Sequence, residues 1–218
     1  VFAYRVSKNH TKTVWVLNGD IRKFFASIDH DVLTQIVTNY IPDSDIAWLM
    51  SQIVRSFHST RTGLGLPLGN LTSQLLVNVY MNNFDQFVKH QLKAKYYIRY
   101  ADDFVILSQD KKWLLDILLK IKDFLWNELR LHLHPDKLSM RTLASGVDFL
   151  GWVHFYDHRV LRTTTKKRMF RRIREKNGKP ETAQSYLGLL SHGNAKKLKR
   201  EVAEMADTLS NEAGAVYD

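Results

Sequence analysis

The chain has 218 residues, of which 44% are hydrophobic and 25% charged, enough apolar material for one sizeable domain with an appendage. It contains no cysteine, which excludes a disulfide framework and a thiolate metal site and fits a reducing compartment. We find no signal peptide and no apolar run long enough to cross a bilayer, so we expect a soluble protein without a membrane partner.

The formal net charge of +10 is concentrated in one segment of the chain. Residues 161–200 hold 13 Lys and Arg against two acidic residues, whereas the rest of the chain holds 19 basic and 20 acidic residues. A focused basic surface suits the phosphates of nucleic acid, and a solvated helical face is the usual alternative explanation of a charge run. The charge distribution therefore indicates nucleic acid as a candidate partner.

The first predicted strand is the apolar run Val14–Leu17, which ends at Asn18-Gly19-Asp20. A buried strand would deliver Asp20 at or near its end, where a carboxylate can face a cleft. Alone, Asp20 fits a turn or a helix cap better than a metal ligand. Beside a carboxylate pair on a neighbouring strand, it would complete a cluster able to hold two Mg²⁺ ions about 3.5–4 Å apart.

Three predicted helices follow. Asp29 precedes an apolar-periodic stretch and is interpreted as the cap of the first helix. The second helix begins at 42–45, and its apolar face carries Ile46, Leu49, Met50 and Ile53. A glycine-rich loop at 63–70 leads into a third, long helix from about Thr72 to Leu92. Such a loop permits close backbone approach to an anionic group, and a simple turn explains it equally well.

Two aromatic and aliphatic runs flank Ala101-Asp102-Asp103, and each is long enough to form a strand. The pattern between Tyr96 and Leu107 predicts a hairpin whose tight turn carries both aspartates. Adjacent carboxylates between buried strands repel each other and lose hydration, and a divalent cation would relieve both costs. Ordinary turn chemistry is the alternative explanation.

Beyond the hairpin, Trp113–Leu129 is predicted to form another long amphipathic helix that packs on a sheet. Its apolar stripe comprises Leu114, Leu115, Leu118, Ile121, Leu125 and Leu129. The segment 131–137 alternates apolar and polar side chains before a proline turn, which would place His132 and His134 on one strand face. A metal at these histidines is disfavoured, because no carboxylate or cysteine nearby completes a transition-metal set.

The last third of the chain is predicted to hold a hairpin and three helices. The hairpin pairs Val147–Val153 with Arg159–Leu161 and turns near Asp157-His158. A basic helix over Lys166–Arg174 is stopped by Gly178 and Pro180. Two more helices, near residues 183–190 and 194–209, complete a small helical unit.

Two stretches resemble catalytic motifs of reverse transcriptases: Tyr100-Ala101-Asp102-Asp103 the Tyr-x-Asp-Asp motif, and Asp20–His30 the first catalytic motif. The resemblance implies two Mg²⁺ ions, with Mn²⁺ as an alternative, and metal-binding positions at Asp20, Ile21, Asp102 and Asp103. Lys137 falls where the family has a lysine able to protonate the pyrophosphate leaving group, and a surface lysine is the alternative. The implied catalytic residues are Asp20, Asp102, Asp103 and Lys137.

The same resemblance implies a nucleotide-binding set. Phe25 matches the aromatic gate that would clash with a ribose 2′-hydroxyl, and a core residue is the alternative. Residues 69–74 look like the Gly-x-x-x-Ser-Gln form of the motif that packs against template and incoming base. Because group II intron enzymes typically show a Gln-Gly motif ending in Ser-Pro, this form is most like reverse transcriptases of diversity-generating retroelements. The implied set is Phe25, Gly69, Ser73, Gln74 and Tyr100.

Two later features resemble the family's contacts with nucleic acid. The stretch Phe149-Leu150-Gly151-Trp152 resembles the primer grip. The basic helix matches a thumb, whose cations would hold the template–primer backbone without reading sequence. The implied backbone contacts are Lys166, Lys167, Arg168, Arg171, Arg172 and Arg174.

The order of these elements predicts an α+β fold: a polymerase palm with an antiparallel sheet packed by helices, followed by a small helical thumb. We expect a palm at 1–145 with a remnant of the fingers at 1–13, a primer-grip hairpin at 146–160 and a basic helical thumb at 161–218. The family's fingers hairpin has no counterpart before Val1, so the chain resembles an amino-terminally truncated enzyme. We therefore expect it to bind template–primer but to extend it poorly alone.

The function implied by the resemblance is RNA-directed DNA polymerisation by two-metal nucleotidyl transfer, in mutagenic retrohoming of a diversity-generating retroelement. The implied partners are an RNA template, a DNA primer, dNTPs and a basic accessory protein, in a cytoplasmic, bacterial or phage-encoded setting. The alternatives are a reverse transcriptase of group II intron, retron or phage-defence type, or a catalytically silent fragment that only binds nucleic acid.

Overall fold

The computed structural model describes Val6, residues 12–59 and residues 61–214. The chain divides into two compact units: an amino-terminal unit that ends at Thr142 and a carboxy-terminal unit that begins at Leu143. No helix within the described ranges is long and apolar enough to span a bilayer.

The amino-terminal unit is built on a four-stranded antiparallel sheet with the order β2-β3-β1-β4. Its strands are β1 (Trp15–Gly19), β2 (Tyr97–Tyr100), β3 (Asp103–Ser108) and β4 (Ser139–Thr142). β2 and β3 form the predicted hairpin, with Tyr100 opposite Asp103. β1 pairs with β3 so that Gly19 lies opposite Phe104. This register brings the residue after β1 to the start of β3.

Four of the five helices described in this unit begin at a residue whose side chain caps them, and the first helix is the exception. The five helices are α1 (Phe24–Ser27), α2 (His30–Tyr40), α3 (Ser44–Arg55), α4 (Leu71–Gln86) and α5 (Lys111–Leu129). The predicted Asp29 cap is confirmed, since its carboxylate accepts hydrogen bonds from two backbone amides of α2. Asp43 caps α3 in the same way, and Asn70 caps α4. A π-helical turn at Phe87–Gln91 extends α4.

The core of the unit lies between the sheet and helices α4 and α5. From the sheet, Leu17, Phe104 and Ile106 are fully buried. They share one cluster with helix residues that include Tyr80, Phe84, Leu114, Ile121 and Leu125. The predicted α+β fold, with an antiparallel sheet packed by helices, is therefore confirmed.

Two predicted apolar stripes are only partly buried. On α3, Ile46, Leu49 and Ile53 are 49%, 52% and 40% exposed, and Val54 is the residue that enters the core. On α5, Leu115 is exposed and Ile117 is buried in the stripe instead. Helical periodicity finds the apolar face of a helix, but the neighbouring elements decide which part of that face is covered.

The carboxy-terminal unit combines a small sheet with three helices. Its antiparallel strands, in the order β5-β6-β7, are Val147–Phe149, Trp152–His154 and Arg159–Leu161. The predicted hairpin corresponds to β6 and β7, but the first predicted run is broken into two strands by a tight turn at Leu150-Gly151. Both turn residues have positive φ, which ends one strand and reverses the chain.

Helices α6 (Thr163–Glu175), α7 (Pro180–Leu190) and α8 (Lys196–Gly214) complete this unit. They enclose a second core that includes Met169, Ile173, Leu190 and Val202. Trp152 and Leu161 of the small sheet belong to the same core. The sheet and the three helices of the carboxy-terminal unit thus share one hydrophobic cluster.

Candidate active site

Three predicted aspartates lie around adjacent strand ends of the amino-terminal sheet. Asp20 directly follows β1, Asp102 occupies the β2–β3 turn, and Asp103 is the first residue of β3. The ring of Phe104 lies over Gly19, where an added Cβ would come within 2.5 Å of it. The close β1–β3 contact thus depends on a glycine beside Asp20, and the strand register brings Asp20 to the aspartate hairpin.

The cluster carries more negative charge than its surroundings neutralise. Asp20 is buried, and its Oδ1 has no hydrogen-bond partner among the described residues. Burial, followed by the nearby Asp20 carboxylate, raises the pKa of Asp103 to about 6. Burial also raises the pKa of Asp102, with a smaller contribution from Asp20. Both shifts mean that the ionised carboxylates are destabilised by their position and by one another.

Lys137 is the cation at this cluster. Its Nζ donates a hydrogen bond to Asp20 Oδ2 at 2.7 Å, and this contact raises the lysine pKa. The lysine arrives on a 3₁₀ turn, Pro135–Lys137. The backbone before that turn is fixed to the Asp20 region, because the amide of His134 donates to the Asp20 carbonyl at 2.7 Å. Lys137 is therefore held at the carboxylates, while its role as a general acid stays a prediction.

The segment 131–137 is not the predicted strand. It makes a single bridge, between Ile21 and Leu133, and its histidines have separate partners. His132 stacks on Trp126, and His134 Nδ1 accepts from the amide of Asp136. Two backbone hydrogen bonds, from Arg22 to His132 and from His134 to Asp20, join this segment to the residues after β1 and so hold Lys137 near Asp20.

The donor set of the cluster fits a hard divalent cation. Mg²⁺ prefers carboxylate oxygens, and the cluster offers three carboxylates, one of them with an unpartnered buried oxygen. Within the described ranges, no group of three or more His, Cys, Asp or Glu side chains is placed to hold a metal ion, so these carboxylates lie near one another without forming a ready metal site. One Asp20 oxygen is held by Lys137, so binding a cation requires this ion pair to yield or to share the carboxylate.

Phe25 lies on α1, and its backbone is hydrogen-bonded to the glycine-rich loop. Its carbonyl accepts from the amide of Leu66 at 2.8 Å, and Gly65 donates to Ile28 at the same distance. The fully buried His30 hydrogen-bonds the Gly65 carbonyl through Nε2 at 2.7 Å. Because a carbonyl only accepts, Nε2 carries the proton. Sequence reasoning missed this role of His30, although a histidine inside an apolar-periodic stretch was the available signal.

The other predicted nucleotide-binding residues have different exposures. Ser73 is buried near the start of α4, whereas Gln74, Gly69 and Tyr100 are exposed. Gly69 has a φ of +82°, which favours glycine at the entrance to the Asn70 cap. Their contacts with a nucleotide stay predictions.

In the carboxy-terminal unit, the predicted primer grip forms the β5–β6 turn. Phe149 and Trp152 are a buried cross-strand pair, while Leu150 at the turn is 48% exposed. The guanidinium of Arg159 lies over the Trp152 ring at 5.4 Å. The ring of Trp152 also packs directly on Gly193.

The basic helix α6 buries Met169 and Ile173 and turns its cations outward. Lys166 lies 3.8 Å from Glu201, and Arg171 lies 3.5 Å from Glu175. The other predicted backbone contacts, Lys167, Arg168, Arg172 and Arg174, are exposed. A groove of about 1000 Å³ between α6 and α8 is lined by Lys166, Lys167, Phe170, Arg171 and Arg174 on the α6 side.

The fold is shared with telomerase. The structure of apo telomerase from Candida tropicalis matches 97% of this chain and 43% of that chain, with a TM-score of 0.63 and 12% sequence identity. Telomerase from Candida albicans, in complex with a TWJ fragment of telomeric RNA, matches 74% of this chain and 32% of that chain with a TM-score of 0.55 and 12% identity. At these identities the likeness shows the fold alone.

The sequence defines the family. Residues 3–154 match the family described as reverse transcriptase (RNA-dependent DNA polymerase). The chain therefore belongs to the reverse transcriptase family, as its motifs predicted. It is 25% identical to protein YkfC of Escherichia coli (strain K12) over 194 residues, which cover 72% of this chain and 49% of YkfC.

A second relative is the group II intron-encoded protein LtrA of Lactococcus lactis subsp. cremoris. The alignment is 227 positions long and shows 25% identity. It covers 71% of this chain and 36% of LtrA. The chain thus spans about half or less of the length of these relatives.

Proposed function

We propose that this protein is an RNA-directed DNA polymerase that adds dNTPs to a DNA primer by two-metal nucleotidyl transfer. The observation that supports the proposal is the cluster of Asp20, Asp102 and Asp103 with Lys137 at adjacent strand ends. Asp20, the Asp102-Asp103 pair and Lys137 are distant from one another in sequence, and one carboxylate oxygen of the cluster, Asp20 Oδ1, is buried without a partner among the described residues. A two-metal site requires such a cluster.

In this proposal Asp20 and Asp102 hold the two Mg²⁺ ions, Asp103 supports them, and Ile21 lies at the same strand end. Mn²⁺ is the alternative ion. Bound divalent ions supply electrostatic stabilisation of the reacting phosphoryl group. The bond from the primer 3′-oxygen to the α-phosphorus forms as the 3′-hydroxyl releases its proton to water, and the bond from the α-phosphorus to the pyrophosphate oxygen breaks. Lys137, whose ammonium is already at Asp20, donates the proton that the pyrophosphate oxygen takes up.

The incoming nucleotide is proposed to contact the loop that α1 and α4 share. Phe25 blocks a 2′-hydroxyl, and the hydrogen bonds through Gly65 and Leu66 fix its backbone. Gly69, Ser73, Gln74 and Tyr100 are proposed to line the nucleotide and template side. Since the carbonyls of Phe25 and Ile28 each accept a hydrogen bond from the glycine-rich loop, the loop holds both sides of this turn, and a clash with a ribose would not be relieved by a small local movement.

We propose three parts of a polymerase: a palm over 1–145, a primer-grip hairpin over 146–160 and a thumb over 161–218. The two compact units divide the chain between Thr142 and Leu143, so the proposed hairpin and thumb lie in one unit. The remnant of the fingers proposed for 1–13 lies mostly outside the described residues. In the thumb, the exposed cations of α6 would neutralise phosphates of the template–primer. The residues proposed for this contact are Lys166, Lys167, Arg168, Arg171, Arg172 and Arg174.

For the subtype, we propose a reverse transcriptase of a diversity-generating retroelement, with a basic accessory protein as partner. The Ser73-Gln74 form of the motif at the start of α4 supports it. A group II intron enzyme is the second candidate, favoured by the likeness to LtrA. Genomic neighbours discriminate the two, because a template repeat and a variable repeat beside the gene are expected only for the first.

A primer-extension assay with an RNA template, a DNA primer, dNTPs and Mg²⁺ tests the activity. Where the wild type extends the primer, even slowly, we expect extension to fall by about 10²–10³-fold or more in Asp102→Asn, because the variant keeps the size of the side chain and removes its charge. Asp116→Asn, at an exposed position of α5, is the matched control. Extension by Asp102→Asn at the rate of the control would refute the assignment. Salt-sensitive template binding without extension would instead support the catalytically silent alternative.

A further inference from the structure

A buried polar cluster joins α4 to the strand that leads into the aspartate turn. Asp85, at the end of α4, accepts three hydrogen bonds from β2. Tyr97 Oη donates at 2.6 Å, and Arg99 donates through Nε at 2.8 Å and through Nη2 at 2.7 Å. The side chain of Arg99 is only 7% exposed. The two-pronged contact fixes the plane of the guanidinium, which a lysine ammonium could not do.

The remaining arm of the guanidinium reaches the turn itself. Arg99 Nη1 donates to the carbonyl of Ala101 at 2.9 Å. Ala101 has a φ of +51°, a left-handed conformation that residues other than glycine rarely adopt. Its neighbour in the turn is Asp102. A backbone held in such a conformation needs support from its surroundings, and Arg99 supplies it from a rigidly anchored side chain.

The energetics of buried ion pairs indicate that this cluster serves geometry more than stability. Apolar residues of similar volume often replace a buried pair without loss, because taking two charges out of water is costly. Burial, followed by the hydrogen bond and charge of Asp85, raises the pKa of Tyr97, so its hydroxyl stays a donor. By contrast, an apolar pair could not reproduce the hydrogen bond from Arg99 to the Ala101 carbonyl.

We propose that Arg99 and Asp85 are positioning residues that set the Ala101-Asp102 turn and thereby the affinity of the carboxylate cluster for a divalent cation. The inference rests on the proposed function only for the identity of the cation. Neither residue touches the reacting atoms. Partners that orient a metal ligand typically contribute about 10–100-fold to metal affinity.

The position of Asp85 adds a coupling between two parts of the proposed site. α4 begins after the Asn70 cap with Ser73 and Gln74 in its first turn and has Asp85 in its last turn, so one helix carries both the proposed nucleotide motif and the anchor of the turn. A helix of this length moves as a rigid element. Displacement of its first turn by a nucleotide would therefore be transmitted to Arg99 through Asp85.

The test compares Arg99→Lys and Asp85→Asn with the wild type. Arg99→Lys keeps the positive charge but loses the two-pronged contact with Asp85. Asp85→Asn keeps the shape of the side chain but loses the negative charge that holds the guanidinium. Binding of Mn²⁺ or Mg²⁺ is measured by calorimetric titration of the full chain. Hydrogen exchange at the amides of residues 101–104 is measured in parallel. We expect about 10-fold weaker cation binding and faster exchange in both variants.

Two controls separate positioning from stability. Arg55→Lys changes the exposed Arg55–Asp31 ion pair of the same unit, which lies at 2.8 Å, and should alter neither measurement. Tyr97→Phe removes one hydrogen bond to Asp85 and leaves the arm on Ala101 in place, so it should lower the melting temperature without weakening cation binding.

Folded Arg99→Lys with wild-type cation affinity and wild-type exchange in the turn would overturn the proposal. So would a Tyr97→Phe variant that loses affinity as much as Arg99→Lys, because stability alone would then explain the effect. If the wild type binds the cation and the variants weaken it, but no variant or wild type extends a primer, the inference stands and the proposed polymerase activity fails.

Discussion

Removing the charge of Lys137 should destabilise the metal-free protein and make its stability depend more strongly on Mg²⁺. In Lys137→Met the aliphatic stem is retained and the ammonium is lost. Asp20, whose side chain is 7% exposed, then keeps a buried charge beside Asp102 and Asp103 without its 2.7 Å partner.

The magnitude follows from the unequal exposure of the pair. Breaking a fully buried ion pair costs about 3–5 kcal/mol, and an exposed pair contributes about 0–1 kcal/mol. The Lys137 side chain is 56% exposed, so its attraction to Asp20 is screened by water, and we expect a loss of about 1–2 kcal/mol. For a chain of this size that corresponds to a fall in melting temperature of about 3–6 °C.

The assay is thermal unfolding by calorimetry in EDTA and in Mg²⁺. In EDTA the variant should melt below the wild type, and Mg²⁺ should raise its melting temperature by more than that of the wild type, since the cation replaces the lost positive charge. Lys120→Met, at an exposed position of α5, is the matched control and should melt like the wild type in both buffers. An equal Mg²⁺ response in the wild type and in Lys137→Met would refute this account of the carboxylate cluster.

Three further predictions concern the same site and its ligands. The pKa of Asp103 in the folded state is raised to about 6 from 3.8, so protonation of Asp103 favours the folded state. This stabilisation is present below about pH 4 and is lost as the pH rises to about 6. Asp103→Asn should therefore flatten the pH dependence of metal-free stability and melt higher than the wild type at pH 7. A variant with an unchanged slope would contradict it. Phe25→Ala should allow ribonucleotides to be incorporated, which competition between GTP and dGTP measures. Unchanged discrimination between GTP and dGTP in a folded variant would show that Phe25 is a core residue and not a gate. Binding of template–primer should weaken steeply as the salt concentration rises. Replacing Arg168 and Arg172 by Gln should reduce the slope of log affinity against log salt concentration by about 1–2. An unchanged slope would show that these two arginines do not contact the phosphates.

Local signals in the sequence predicted much of the fold. Residues within a few positions of one another specify the β1 strand before Asp20, the aspartate hairpin, the Asp29 cap and the helix α5. The exposed face of α3 was not predictable in this way, because Ile46 and Leu49 have helical spacing whether or not another element covers them.

The candidate site was predicted only where a family motif linked distant positions. Lys137 meets Asp20 across 117 residues, and the resemblance to reverse transcriptases, not any local pattern, brought the two together. The contact between Arg99 and Asp85 carries no such signal, since an arginine on a strand and an aspartate on a helix are each ordinary alone. For His30 the apolar-periodic stretch offered a signal of burial, but its partner, the Gly65 carbonyl, is a backbone group that no residue type identifies.

The left-handed backbone conformation at Ala101 also restricts which residues can replace this alanine. A glycine there would remove the steric cost of the positive φ but would widen the unfolded ensemble, so the two effects oppose each other. A β-branched residue would add its bulk next to the backbone at the conformation least able to accept it. Between Tyr100 and Asp102 the backbone thus favours small, unbranched side chains, and the narrow choice at this position is set by the turn itself.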